Sequence, residues 1–412
     1  MNVLIYTFPW GQNISFFKKF VGPLKTLGYY VHFLTIDLYD YLIAKKQGHS
    51  VFLVENSKKR YKVPRIDELR PEECTNLEET NKLYSCVLET CNNLHNKYHF
   101  EKIIAWGGLG PACQGIKTFA AQHAIPTLFF ELANIDGKMF ADPQGVNAKS
   151  YLYNNIHLLD EYDIDPLIFD QWKQNYITRK LENHTVYQAL AKPQKLIHRF
   201  PTFRILESYK RLFLGTPSIP TLSCMETIRQ KQIHQKVSYT YDSTEHLKTP
   251  YLFLPLQVSN DSQLIFNSDI DNLQAIKIAS EMAKEKGLKL IIKPHPAEPD
   301  QQFVKHVYEL KNNYNFYFIN YNTFRLIQNA AEVLTINSTV GLEAKIMGKK
   351  VHFLGRTFLK ELTPNRLKNY ILGYLVDMNN FTQESISVAT MQKALDRSEL
   401  TKKDIEGDFF VS

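Results

Sequence analysis

Apolar runs that alternate with helix-patterned stretches constrain this chain more than any other feature. From about residue 249 the order is "PYLFLPL" (strand), "NLQAIKIASEMAKEKG" (helix ending at Gly287), "LKLIIK" (strand), "PDQQFVKHVYELKN" (helix) and "FYFI" (strand). It continues with "TFRLIQNA" (helix), "EVLTI" (strand), "TVGLEAKIMG" (helix) and "KVHFLG" (strand). Strands that are apolar throughout must be covered on both faces. Strands separated by helices are joined by crossovers. The pattern therefore predicts a parallel sheet with helices on both sides.

The first half repeats the theme. "NVLIYTF" reads as a strand, "NISFFKKFVGPLKTLG" as an amphipathic helix closed by Gly28, and "YYVHFLTI" as a second strand. Residues 66–98 are polar and helical in pattern. "EKIIAWGG" at 101–108 is a strand, a helix follows over about 111–123, and "IPTLFFELAN" is a further buried strand. No G-x-G-x-x-G occurs in this opening, so nothing points to a dinucleotide. Residues 151–245 lose the alternation, are rich in Tyr, Gln, Lys and His, and read as mostly helical.

At 412 residues the chain exceeds one core. The division expected is 1–150 (Rossmann-like), 151–245 (helical insertion or interdomain segment), 246–375 (Rossmann-like) and 376–412 (helical tail). The fold class is α/β, with two Rossmann-like domains facing a cleft in the GT-B manner. Ligands of such sheets bind beyond the strand C-termini.

Composition excludes several classes. The chain is 44% hydrophobic and 22% charged, an ordinary globular profile without a long uninterrupted apolar run, so no membrane-spanning helix is expected. "MNVLIYTFPW" reads as a first strand, not a signal peptide. The cysteines, Cys74, Cys86, Cys91, Cys113 and Cys224, are odd in number and form no C-x-x-C. This argues against a disulfide framework or a zinc site and for a reducing cytoplasm. Residues 192–236 hold nine Lys or Arg against two acids, equal to the chain's whole excess of +7, with Phe200, Phe203, Tyr209 and Phe213 interleaved. The stretch reads either as a surface for anionic lipid or a polyanionic glycan, peripheral on the inner membrane, or as a solvated helical face. No nucleic-acid module accompanies the charge.

Four loops carry candidate chemistry. In "INSTVGLEA", Asn337, Ser338 and Thr339 lie between strand and helix. Ser and Thr cap helices, Gly341 permits close approach, and a helix N-terminus accepts anions. Glu343, one turn on, reads as a ribose ligand or as a partner of the helix dipole. In "KPHP", Pro294 and Pro296 fix the backbone around His295 beside Lys293, a pair suited to a phosphate or phosphate-ester leaving group. In "LPLQVSNDSQLIFNSD", Gln257, Gln263 and Asp261 leave a buried strand. Asp261 is a candidate nucleophile or base, or an ordinary helix cap. In "FFELANIDGKMFADPQGVNAKS", Glu131 ends a strand, and Asp142, Gly145, Asn147 and Ser150 follow in what reads as a long loop.

Together these stretches resemble the bacterial capsule polysaccharide biosynthesis β-Kdo transferases, which use CMP-Kdo, the cytidylate ester of 3-deoxy-manno-octulosonic acid. The matching segments are "FFKKFVGPLKTLGYYVHFL", "FFELANIDGKMFADPQGVNAKS", "PLQVSNDSQL", "KPHP" and "TINSTVGLEAKIMGKKVHFLG". The resemblance implies a GT-B-like fold whose second domain holds CMP. Lys293, His295, Ser338 and Thr339 would then contact the phosphate, and Glu343 would lie near the nucleoside. It further implies retention of configuration through a covalent sugar adduct on Asp261, with Glu131 an acid or base toward the acceptor. Gln257, Gln263, Asn337 and Asn147 complete the expected substrate-binding set. No cofactor and no metal is expected, because His, Lys and helix N-termini neutralise the phosphate and no Asp-x-Asp ends a strand. The partners expected are CMP-Kdo, a glycan or glycolipid acceptor of capsule or lipopolysaccharide synthesis, the inner-membrane surface and capsule or O-antigen assembly proteins. A transferase of another CMP-activated keto acid, such as a sialyltransferase, is the nearest alternative. A non-catalytic glycan-binding assembly protein of the same fold is the alternative from another class.

Overall fold

The structure is a computed structural model that describes residues 1–7, 12–133, 135–182, 239–380 and 384–401. The basic, aromatic stretch 192–236 and Cys224 lie outside the described residues. The chain divides into two compact units. Of the described residues, one comprises 1–154 and 375–401, the other 155–182 and 239–374.

The first unit holds strands β1 (Asn2–Thr7), β2 (Tyr30–Thr35), β3 (Ser50–Leu53), β4 (Phe100–Trp106), β5 (Thr127–Leu132) and β6 (Lys138–Asp142). β12 (Val376–Asp377) joins them, in the order β12-β6-β5-β4-β1-β2-β3. The five strands β1 to β5 are parallel, as the apolar runs predict. β6 and β12 add in antiparallel fashion at one edge. The stretch after Glu131, read from sequence as a long loop, is therefore a hairpin strand first and a loop only from Pro143. The segment read as a C-terminal helical tail supplies β12 and the helix Val388–Arg397. Met391, Ala394 and Leu395 of that helix join Val3, Ile5 and Phe130 in the first unit's core.

The second unit holds β7 (Tyr251–Pro255), β8 (Lys289–Lys293), β9 (Phe316–Phe318), β10 (Glu332–Thr335) and β11 (Lys350–Phe353), in the order β11-β10-β7-β8-β9. All neighbouring pairs are parallel. Alternation along each strand explains why both faces are buried. Leu252, Leu254, Leu290, Ile292 and Leu334 pack under the helix Asn272–Glu285, through its Ala275, Ile276 and Ala279. Tyr251, Phe253, Ile291 and Val333 face the opposite layer with Leu326, Ile327 and Ala344. Each such large side chain contributes about 1.5–3 kcal/mol by leaving water. From the region read as an insertion, the helix Pro166–Glu182 belongs to this unit, where Tyr176 packs against Phe324. Asp160 there forms an ion pair with Arg366.

The strand order places the site. From β7 the chain moves outward through β8 and β9, then returns to the other side of β7 for β10 and β11. The order reverses between β7 and β10. Loops leaving the C-termini of those two strands diverge there and leave a crevice at the sheet edge.

Candidate functional site

Three of the four loops singled out in the sequence leave adjacent strands of the second unit, β10, β7 and β8, at the same edge. Neighbouring parallel strands stand about 4.8 Å apart. The loops after these three strands are therefore brought together although they lie far apart in sequence.

A network of buried amides pins the crevice. Gln257 is 4% exposed and Asn337 6%. The Gln257 Nε2 amide donates to Asn337 Oδ1 at 2.9 Å, and the Asn337 backbone N–H donates to Gln257 Oε1 at 3.0 Å. Asn337 Nδ2 also donates to the carbonyls of Gln263 and Asn267, at 2.8 and 3.2 Å. Asn272 exchanges two bonds with the Gln257 backbone, and Asn267 Nδ2 donates to Gln263 Oε1 at 2.9 Å. Gln257, Gln263 and Asn337, read from sequence as substrate-binding, thus spend this hydrogen-bonding capacity on one another and on backbone. They fix the loops that carry the charged groups.

Asp261 closes a turn, its N–H donating to the Val258 carbonyl at 3.0 Å. It caps the short helix Ser262–Asn267, with Oδ1 accepting from the Gln263 N–H at 2.8 Å. A cap engages one carboxylate oxygen, so capping and a chemical role are compatible at this residue.

His295 projects from the turn after β8. Its Nδ1 accepts from the Ala297 N–H at 3.1 Å, so the neutral ring carries its proton on Nε2. Burial lowers its pKa, while the carboxylates of Asp261 and Glu298 oppose that shift. The Asp261 carboxylate is therefore close enough to favour the charged form of the His295 ring. Lys293 donates to the Tyr321 carbonyl and to Thr323 Oγ1, both at 2.7 Å. Burial lowers its pKa to about 8, opposed by Glu343. An ammonium with one further N–H and little water around it gains much from an anion.

Ser338 caps the helix Thr339–Ile346, its Oγ accepting from the Val340 N–H at 3.2 Å. The Thr339 N–H precedes the first intrahelical bond. Gly341 has a packing reason. A Cβ there would lie 2.3 Å from a ring carbon of Phe353, so glycine lets the helix settle onto β11. The close approach expected at Gly341 is to this ring.

Two residues that sequence reasoning passed over tie the loops together. Glu298 is 6% exposed. Its Oε2 accepts from the Ser259 N–H at 2.7 Å, and its Oε1 accepts from Ser259 Oγ at 2.8 Å and from the Asp300 N–H at 2.9 Å. The only signal in the sequence was a carboxylate two residues after the His-Pro pair.

The remaining candidates lie in the first unit. Glu131 ends β5, half-buried, with Oε1 accepting from the Leu132 N–H at 2.9 Å. Asn147 adopts a left-handed backbone, φ 55°, in a single 3-10 turn. That turn is held by Asp142, fully buried, which accepts from the N–H groups of Gln144, Gly145, Tyr151 and Leu152. Among the described residues no group of three or more His, Cys, Asp or Glu could hold a metal, and no helix is long and apolar enough to cross a membrane.

A family profile described as "Capsule polysaccharide biosynthesis protein" matches residues 101–361, more than half of the chain. The chain belongs to this family. The match runs from β4 to the turn beyond β11 and takes in all the charged groups above. Capsule polysaccharide export protein KpsS of Escherichia coli is 24% identical over 287 residues, covering 66% of this chain and 72% of that protein. Protein FixF of Sinorhizobium fredii is 38% identical over 119 residues, 26% of each chain. Among solved structures, the β-Kdo 2,7 transferase of Thermosulfurimonas dismutans KpsC aligns over 96% of this chain and 99% of that one, at 15% identity and a TM-score of 0.45. The β-Kdo 2,4 transferase of the same protein covers 72% and 88%, at 16% identity and a TM-score of 0.40.

Proposed function

We propose that this family member is a glycosyltransferase that moves Kdo from CMP-Kdo to a glycan or glycolipid acceptor in capsule or lipopolysaccharide synthesis. One observation carries the reading. At the switch point of the second unit's sheet, a carboxylate (Asp261), a half-buried imidazole (His295), an under-solvated ammonium (Lys293) and a Ser-capped helix start (Ser338, Thr339) leave three neighbouring strands. That is the chemistry a cytidylate leaving group and a keto-sugar require. Family membership supports the same conclusion.

In this reading Lys293, the Nε2–H of His295 and the Thr339 N–H hold the phosphate, and Glu343 faces the ribose. The donor carbon beside the sugar carboxylate carries developing positive charge as the bond to phosphate breaks. Asp261 attacks that carbon, the C–O bond to CMP breaks, and CMP departs with the electron pair. The acceptor oxygen then attacks the same carbon, the Asp261–sugar bond breaks, and the acceptor proton passes to a base, a role assigned to Glu131. Two inversions give retention. Neutralisation by side chains and amides supplies the stabilisation that a metal gives elsewhere.

The experiment is incubation with CMP-Kdo and quantification of released CMP, with and without glycan acceptors. Turnover by the wild-type chain, with loss of CMP binding in His295→Ala, supports the proposal. Stoichiometric binding without CMP release would make the protein a binding module instead.

A further inference from the structure

The bonds between Glu298 and Ser259 join two loops that the reaction must hold in register. Ser259 sits inside the turn Val258–Asp261, two residues before the proposed nucleophile. Glu298 sits three residues after His295, and its own N–H donates to the His295 carbonyl at 3.0 Å. One carboxylate thus grips the Asp261 turn twice, through the Ser259 N–H and Oγ, and grips its own loop through the Asp300 N–H. Ser259 is exposed, and the two bonds it makes to Glu298 tie the tip of this turn to the loop after β8. Three donors on one buried carboxylate make a stiff joint, because breaking any one leaves a desolvated oxygen.

We propose that Glu298 is a positioning residue for sugar transfer: through Ser259 it fixes the reach of Asp261 relative to His295, and so the attack distance to the donor carbon. The inference rests on the glycosyl-transfer reading above. It adds a residue that touches neither donor nor acceptor, yet governs the rate of the covalent step. Misplacement of a reacting group by about 1 Å costs on the order of a hundredfold in rate, whereas a phosphate held by other side chains binds much as before.

The test compares wild type, Glu298→Gln, Ser259→Ala and Ser259→Thr. It measures CMP affinity by calorimetry and, with CMP-Kdo, the rate of CMP release and its KM, with thermal melting as a check on folding. Gln is nearly isosteric but offers one acceptor oxygen instead of two. We expect Glu298→Gln to lower kcat by about tenfold to a hundredfold while CMP affinity changes by less than about threefold. Ser259→Ala should lower kcat by a smaller factor, Ser259→Thr should restore it, and the double variant Glu298→Gln/Ser259→Ala should be less than additive. Unchanged kcat in Glu298→Gln and Ser259→Ala overturns the proposal. So does parallel loss of CMP affinity, melting temperature and kcat, which would make Glu298 a folding residue only. Absence of CMP release by the wild-type chain, with CMP still bound, would instead sink the transferase reading and leave the clamp without a reaction to serve.

Discussion

Lys293 offers a prediction whose magnitude follows from its surroundings. Burial lowers its pKa from an ordinary 10.5 to about 8. With that value about nine-tenths of the free protein carries the charge at pH 7 and about one-tenth at pH 9. The phosphate of CMP is essentially fully ionised above pH 7, so the ligand's own charge is nearly constant across the window. A bound phosphate stabilises the ammonium and raises its pKa. CMP affinity should therefore hold nearly level to about pH 8 and then fall, approaching tenfold per pH unit, until the pH reaches the pKa of the complex. Folding is linked to the same group. Between about pH 8 and 10.5 the folded chain holds fewer protons than the unfolded one, so this group's contribution to stability rises with pH across that window. The weakening of CMP binding is opposite in sign to this group's own stability contribution, but the buried thiols Cys91 and Cys113, whose pKa burial raises, act the other way, so thermal melting across the same window separates lost binding from alkaline unfolding. Calorimetric titration of CMP at constant ionic strength from pH 7 to 10 measures it. Lys293→Arg stays charged throughout and should flatten the curve. A flat curve for wild type, or an equally steep one for Lys293→Arg, would refute the assignment of Lys293 to the phosphate.

Three further outcomes test the scaffold. Asn337→Ala strips partners from Gln257, and its loss should lower the unfolding free energy by about 1–3 kcal/mol in denaturant titrations. Gly341→Ala drives a methyl into Phe353 and should cost about 1–3 kcal/mol, with Phe353→Leu in the same chain recovering part of it. Tyr6→Phe removes a fully buried hydroxyl with no hydrogen-bond partner among the described residues and should be neutral or stabilising by thermal melting.

Much of this architecture was legible because periodicity is local. "LKLIIK" and "EVLTI" each hold consecutive apolar residues, Leu290–Ile292 and Val333–Leu334, a pattern suited to strands covered on both faces, and that aligned the Asp261, His295 and Ser338 loops at one sheet edge. What was not legible depends on contacts distant in sequence. β6 hides in "DGKMFAD", whose Asp and Gly read as turn residues until the Phe129↔Asp142 register is seen. β12 is two residues long and pairs with a strand more than 200 positions earlier. Gln257 and Asn337 have the composition of a ligand shell, but they bond each other across 80 residues. Glu298 sat in plain view in "KPHPAEP"; only its burial and its grip on Ser259 separate it from a surface acid.

The central claim is that Asp261 becomes covalently attached to the donor sugar. Intact-protein mass spectrometry after brief exposure to CMP-Kdo without acceptor, followed by peptide mapping, tests it most directly. The account predicts a mass increase of one sugar residue, located on Asp261 and absent in Asp261→Asn, which retains the helix cap. CMP release by wild type with no adduct at any exposure time, or an undiminished transfer rate in Asp261→Asn, would contradict it.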